Sequence, residues 1–527
     1  LALSVSVTLR AKKSTNDLTN SADSPLSERT RPVREVAAVA LSLTVLITLF
    51  ALWLLDKGYI LYYGDAQAHL NISRGIFDAR SPGFDQLGTV WLPALHLLTL
   101  PFVQNDWLWT TGLAGTIPAA VCFVIAGTCF YLAARHTYRS TLSALVVLCC
   151  FALNPNLLYL SAIPMTESVF LAGLAVAFLA LLRFAATQQR RYLMLGILAS
   201  WFMSLTRYDG WFLMPFLSLF FARSAHRHRW RIFFIFGAVA SLAPLCWIAN
   251  SWWETSNPFD FMNGPYSASA IQGDKPYPGL HNWAQAAQYY FAAGRLCAGW
   301  PLMILGAFGA LVSLFDKRMR PAFFLLLTPA FYVWSIHSSK TPIHVPTLWP
   351  FSYYNTRYGI ALLVFCAFAA GALAEVASRW ARPSACLVIP LVSIIPWLVH
   401  PSPQRWICWK ESEQNSIARR AWTNAAARFL DTNYQPGDGI LIHFGDLAGI
   451  FGKSHIPLRE AIHEGTQPDW LPAIAAPGIF HPAKWAIALH GDIVSVALPR
   501  SQPPAYKLVL EVATKDAPNL EIYQRMQ

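Results

Sequence analysis

Apolar and polar positions in this chain come in long blocks, not at the spacing of a soluble core. Val36–Leu55, "VAAVALSLTVLITLFALWLL", holds 20 residues without a charge, enough for a helix to cross roughly 30 Å of hydrocarbon. Ten further apolar blocks lie near 108–134, 140–160, 165–182, 192–205, 210–222, 232–250, 299–315, 321–336, 358–378 and 384–400. The pattern predicts a polytopic α-helical membrane protein with about 11 transmembrane helices over residues 36–400. The stretch Val90–Val103, "VWLPALHLLTLPFV", is too short to join that set, and prolines interrupt it near both ends. It is expected to lie on or dip into one membrane face. The loop around it, about 57–107, then holds two interfacial helices, one of them beginning at Asp65.

Beyond residue 400 the period changes. "NSIARRAWTNAAARFLDTNY" has helical spacing, whereas "GILIHF", "WAIALHG", "YKLVLEV" and "NLEIYQRM" read as short strands between Gly/Pro turns. Residues 401–527 are therefore expected to form an extracytoplasmic α/β domain. The first 35 residues are polar, rich in Ser and Thr, and read as a disordered cytosolic tail ahead of an uncleaved anchor.

Composition agrees: 55% of the 527 residues are hydrophobic and 13% charged. The net charge of +12 would suit nucleic acid, but the distribution of the charges excludes that partner. With the tail inside, alternation puts 20 Lys and Arg in the cytosolic pieces, including Arg135, Arg139, Arg183, Arg229, Lys317 and Arg318. The outer loops up to residue 400 carry 8. This is the positive-inside bias. It predicts an N-terminus in the cytosol and a C-terminal domain on the periplasmic or extracellular side; a bacterial inner membrane is the expected location. Of nine cysteines, Cys297 and Cys408 alone fall outside the spans, so a disulfide between them is one option.

Titratable residues collect at the predicted outer boundary. Asp65 and His69 stand four apart in "YYGDAQAHL". "MTES" supplies Glu167, "LTRYDGW" supplies Arg207 and Asp209, and "SYYNTRYG" supplies Asn355, Arg357 and Tyr358. A charge at membrane depth costs about 2.5–3.5 kcal/mol, so such groups face partners or a wet cavity. Each residue also has a plainer reading. Asp65 is placed to cap the helix Ala66–Phe77, His69 to be a hydrogen-bonded surface histidine, and Glu167 with Arg207 to be structural glue. Guanidinium forks at Arg357 and Arg207 suit a phosphodiester. Asp65, His69 and Glu167 together also offer a ligand set for a divalent cation, although nothing in the sequence requires a cofactor. No P-loop or GxGxxG occurs.

The acidic residue after the first span, "WLPALHLL", "NPN…MTES", "LTRYDGW", "NPFDFMNGPYS" and "YNTRYG" come in that order. Together they resemble the integral-membrane glycosyltransferases of the GT-C fold, among them the protein mannosyltransferases and the lipid A aminoarabinose transferases, over roughly residues 36–380. The resemblance implies a sugar donor carried on polyprenyl phosphate and a glycan, lipid or protein acceptor at the outer face. It implies an acidic catalytic residue in the first outer loop, which by position is Asp65, with His69 beside it. Where the mannosyltransferases have two adjacent acidic residues, this chain has Asp65 followed by Ala66. A role needing a second carboxylate would fall to Glu167 or Asp209. The rival classes are a secondary transporter and a non-catalytic membrane scaffold with an outer binding domain. The absence of repeated halves and the gathering of charge at one face favour the enzyme over the transporter.

Overall fold

A computed structural model describes residues 25–477, 479, 483–500 and 505–526. Each of the 11 apolar blocks is helical. Five helices are long and apolar enough to cross a membrane alone: Val33–Lys57, Leu113–Tyr138, Thr166–Thr187, Arg229–Thr255 and Thr356–Val376. Two further pairs of consecutive helices are bent. Thr141–Ala152 and Pro155–Ser161 meet at 68°, and Trp283–Ala298 and Trp300–Phe315 at 108°. The first bend follows from Asn154, whose side chain caps the second helix ahead of Pro155. The second turns on Gly299 at φ 79°, a conformation that favours glycine. The remaining blocks form shorter helices, such as Arg190–Ser204, Leu327–Ser338 and Arg382–Leu398.

The helices close on small residues. A Cβ on Gly309 would lie 2.0 Å from the Ala369 carbonyl oxygen. Trp300–Phe315 and Thr356–Val376 therefore touch through backbone, as helices without a hydrophobic driving force between them commonly do. The expected tail falls partly outside the described residues. Its last part, from Pro25, belongs to the first helix, Pro25–Lys57, where the sequence pattern predicts disorder.

The first loop holds the two expected helices, Gly64–Asp78 and Ala94–Val103. At the chain's end five strands, β1 (Ile440–Ile442), β2 (Ala461–Ile462), β3 (Trp485–Leu489), β4 (Tyr506–Val512) and β5 (Leu520–Arg525), form one mixed sheet in the order β2-β1-β3-β5-β4. β1 runs parallel to β2 and β3, while β5 is antiparallel to β3 and β4. This domain is clamped to the first loop. Asp78 accepts from Arg74 at 3.0 Å and from Arg459 at 2.9 Å, and Arg419 donates to the Tyr62 carbonyl at 2.8 Å. The segment between bundle and sheet, Ile407–Asn415, is a helix whose Ile407, Cys408 and Trp409 are buried in the core of the helical bundle.

Candidate active site

Four helix starts converge at one end of the bundle, and each brings charge. Asp65 sits in the first turn of Gly64–Asp78 and Glu167 in the first turn of Thr166–Thr187. Arg207 immediately precedes Tyr208–Ser224, and Arg357 lies in the 3-10 turn Thr356–Gly359 that leads into Ile360–Val376. Carboxylates in a first turn are favoured by the helix dipole. The convergence makes Arg357 the hub. Its Nη2 lies 2.7 Å from Asp65 Oδ2, its Nε 3.1 Å from Glu167 Oε1, and its Nη1 3.2 Å from Glu411 Oε1. All five of its donors lie in one plane, so three carboxylates can share it.

Arg207 extends the network. Its Nη1 donates to Thr166 Oγ1 at 2.8 Å and lies 3.3 Å from Glu167 Oε1. Its Nη2 reaches the Tyr332 hydroxyl at 3.1 Å, and that hydroxyl donates to Asp209. Tyr358 stacks on Tyr332 with ring centroids 4.7 Å apart. The guanidinium carbons of Arg207 and Arg357 lie 5.1 and 5.3 Å from the Tyr358 ring centre, within cation–π range. Both cations are thus braced by a rigid aromatic wall.

Glu411 escapes the sequence reading. It comes from the Ile407–Asn415 helix, on the face shared by the buried Ile407, Cys408 and Ser412. A carboxylate on an apolar stripe is the signal that marks it. One of its oxygens faces Arg357, and the other accepts both the Thr356 backbone N–H, at 2.7 Å, and the Thr356 hydroxyl. Burial raises its pKa, an effect that Arg357 and Thr356 oppose in part.

The expected residues do not all stand alike. Asp65 does not cap its helix: Tyr63 holds the cap position, and no side chain bonds there. Its carboxylate points to Arg357 instead. The side chain of Asp65 is 39% exposed, against 7% for Glu167 and 2% for Glu411, so Asp65 is the carboxylate that solvent or a ligand can reach. Asp209 is buried beneath Tyr332 and Arg207. Asn355 turns the chain at φ 55° and donates to the Pro342 carbonyl, which sets the position of Arg357. His69 is not a surface residue. It is buried against Trp91, and its Nδ1 lies 2.8 Å from His96 Nε2. Burial, then the nearby Arg357 and Arg207, pull its pKa down to about 3. The pair is therefore neutral, one ring donating and the other accepting.

Among the described residues no three His, Cys, Asp or Glu side chains are gathered as metal ligands. Asp65 and Glu167 are separated by the Arg357 guanidinium that bridges them, and His69 turns to His96, so the three expected ligands do not meet in this arrangement. Cys297 and Cys408 do meet, as free thiols with their sulfurs 3.9 Å apart.

Two guanidiniums face four carboxylates here, leaving an excess of negative charge unless a proton or a ligand cation intervenes.

No protein-family model matches the sequence, and no curated protein matches it at the sequence level. Solved structures do match. The crystal structure of ArnT from Cupriavidus metallidurans bound to undecaprenyl phosphate superposes with a TM-score of 0.58 at 13% identity, covering 91% of this chain and 97% of that one. The apo form of the same protein gives 0.54 at 10% identity, covering 90% and 97%. By fold, then, this chain resembles ArnT: it is a helical membrane protein with several apolar spans and a C-terminal mixed-sheet domain.

Proposed function

We propose that the chain is a glycosyltransferase that moves a sugar from a polyprenyl-phosphate donor to a glycan, lipid or protein acceptor at the outer membrane face. The observation that carries this reading is the exposed Asp65 held on a buried Arg357, in a fold whose solved counterpart binds undecaprenyl phosphate. A donor phosphodiester needs cations, and Arg357 already carries three carboxylates. The incoming phosphate must displace one of them. Asp65 is the exposed one and has a single ion pair to give up, whereas Glu167 and Glu411 are locked in the interior.

Displacement does two things at once. It gives the donor a planar fork for two phosphate oxygens, and it frees the Asp65 carboxylate. The acceptor hydroxyl then loses its proton to Asp65 as its oxygen bonds to the anomeric carbon. The bond from that carbon to the phosphate oxygen breaks, and its electron pair leaves with polyprenyl phosphate. The extra charge developing on that phosphate is met by Arg357 and Arg207, which tyrosines and buried carboxylates hold in place before reaction. Attack opposite the leaving phosphate inverts the anomeric centre.

The test is transfer by the purified protein, supplied with a panel of synthetic polyprenyl-phosphate sugars and followed by release of free polyprenyl phosphate. A donor that is consumed supports the reading. Failure to bind or consume any lipid-linked sugar, by a folded protein, would overturn it.

A further inference from the structure

A charged cavity lies at the end of the bundle opposite the Arg357 cluster. Its volume is about 690 Å³. Four chain segments end there: the start of the first apolar run at Glu35, the end of Leu113–Tyr138 at Arg135 and Arg139, the end of Thr166–Thr187 at Arg183, and the turn bearing Lys317 and Arg318. Glu167 and Arg183 stand sixteen residues apart on one helix, which separates the two sites by about 24 Å along its axis.

The charges in this cavity are not balanced. Glu35 takes Arg135 at 3.0 Å and the Tyr131 hydroxyl. Asp316 takes Arg318 at 2.6 Å. Arg139, Arg183 and Lys317 have no carboxylate within ion-pair distance among the described residues, although Arg139 lies close enough to Asp316 to lower its pKa. The floor between the cations is apolar, formed by Val36, Leu132, Leu182 and Pro321. Three cations without a direct carboxylate partner beside apolar lining residues, where membrane helices end, match a phosphate that carries hydrocarbon. Arginine on a loop alone would satisfy the positive-inside bias. It would not require three cations from three segments to line one cavity.

We infer that this cavity binds the phosphate headgroup of an anionic membrane phospholipid through Arg139, Arg183 and Lys317. Each basic side chain near such a headgroup contributes on the order of 1 kcal/mol, about fivefold in affinity.

The experiment is native mass spectrometry of the full-length protein, titrated with phosphatidylglycerol and, separately, phosphatidylcholine. Wild type should retain phosphatidylglycerol in preference. The double variant Arg139→Gln/Arg183→Gln should lose at least about tenfold in that affinity while keeping its unfolding temperature without lipid. Lys317→Glu, a single exposed change, serves as the second variant and should weaken retention in the same direction. Equal retention by wild type and both variants would overturn the proposal. So would displacement of the lipid by millimolar inorganic phosphate, which would make this a site for a free anion. Neither readout depends on sugar transfer, so this inference and the proposed activity fail separately.

Discussion

Arg357 and Glu411 meet at 3.2 Å between Nη1 and Oε1, joining the start of a bundle helix to the segment that leads into the sheet domain. The same carboxylate receives the N–H and hydroxyl of Thr356. The C-terminal part of the chain therefore supplies a wall of the candidate site and fixes the guanidinium that we assign to the donor phosphate.

Removing that wall should be costly. Glu411→Ala leaves Arg357 with one partner fewer and Thr356 with two buried donors unmet, a loss of about 3–5 kcal/mol. Glu411→Gln keeps an acceptor oxygen and should cost less. Thermal unfolding in detergent measures both, and an unchanged midpoint for Glu411→Ala would show that the contact carries no stability.

Much of the site can be read from the sequence because the bilayer makes charge conspicuous. Asp65, Glu167, Arg207, Asp209 and Arg357 all stand at the ends of apolar runs, where an ionised group has few other uses. Glu411 lies in "WKESEQN", a stretch with the look of a solvent-facing helix, where its place on the short stripe with Ile407 and Cys408 is the one weak signal that separates it from Glu413. The cap assigned to Asp65 failed because a partner 292 residues away in sequence outcompeted the local backbone N–H groups. β4 and β5 announce themselves by composition, whereas two-residue β2 is too short to carry a period. The helix Trp283–Ala298 went unrecognised because a right-angled bend splits it from its apolar neighbour.

The arginine bias leads us to expect Arg229 on the cytosolic side and Asn519 outside. Reporter fusions after each position should read on opposite sides. The same side for both would require an even number of spans between them.

His69 makes stability depend on pH. Its folded pKa, about 3, lies below the ordinary 6.5, so the unfolded chain binds more protons in that window. The stability is full above about pH 6.5 and is lost progressively as pH falls toward 3. Its ring contacts His96 and Trp91, and the charges that act on it are those of Arg357 and Arg207, which disfavour the protonated form. His69→Gln/His96→Gln should therefore show a shallower fall in unfolding temperature between pH 6.5 and 5 than wild type does. Parallel curves would mean that the pair does not titrate on unfolding.

Arg357→Lys retains one charge but loses the planar fork. An ammonium on the shorter contact set cannot reach Asp65, Glu167 and Glu411 together. Donor affinity is expected to fall by at least about tenfold, because the second charge-assisted bond to phosphate is gone. Binding of a non-transferable polyprenyl-phosphate analogue measures this directly. Wild-type affinity in a folded variant would make Arg357 a structural anchor and move the phosphate to Arg207.

Asp65→Asn separates structure from chemistry. Asn is nearly isosteric, and the native carboxylate caps nothing, so the helix Gly64–Asp78 keeps its start. What is lost is a partly exposed ion pair with Arg357, and Glu167 and Glu411 still satisfy that guanidinium. An exposed pair of this kind is worth about 0–1 kcal/mol, so the unfolding temperature should scarcely move. Donor binding should hold or improve, because the phosphate no longer has to displace a carboxylate. Turnover should fall by at least about 10²-fold, since an amide accepts no proton near neutral pH. That combination, tighter donor and lost transfer, is one that a purely structural Asp65 would not produce. Single-turnover transfer at saturating donor decides it, and near-wild-type transfer would take Asp65 out of the chemistry and leave it as a carboxylate that merely neutralises Arg357.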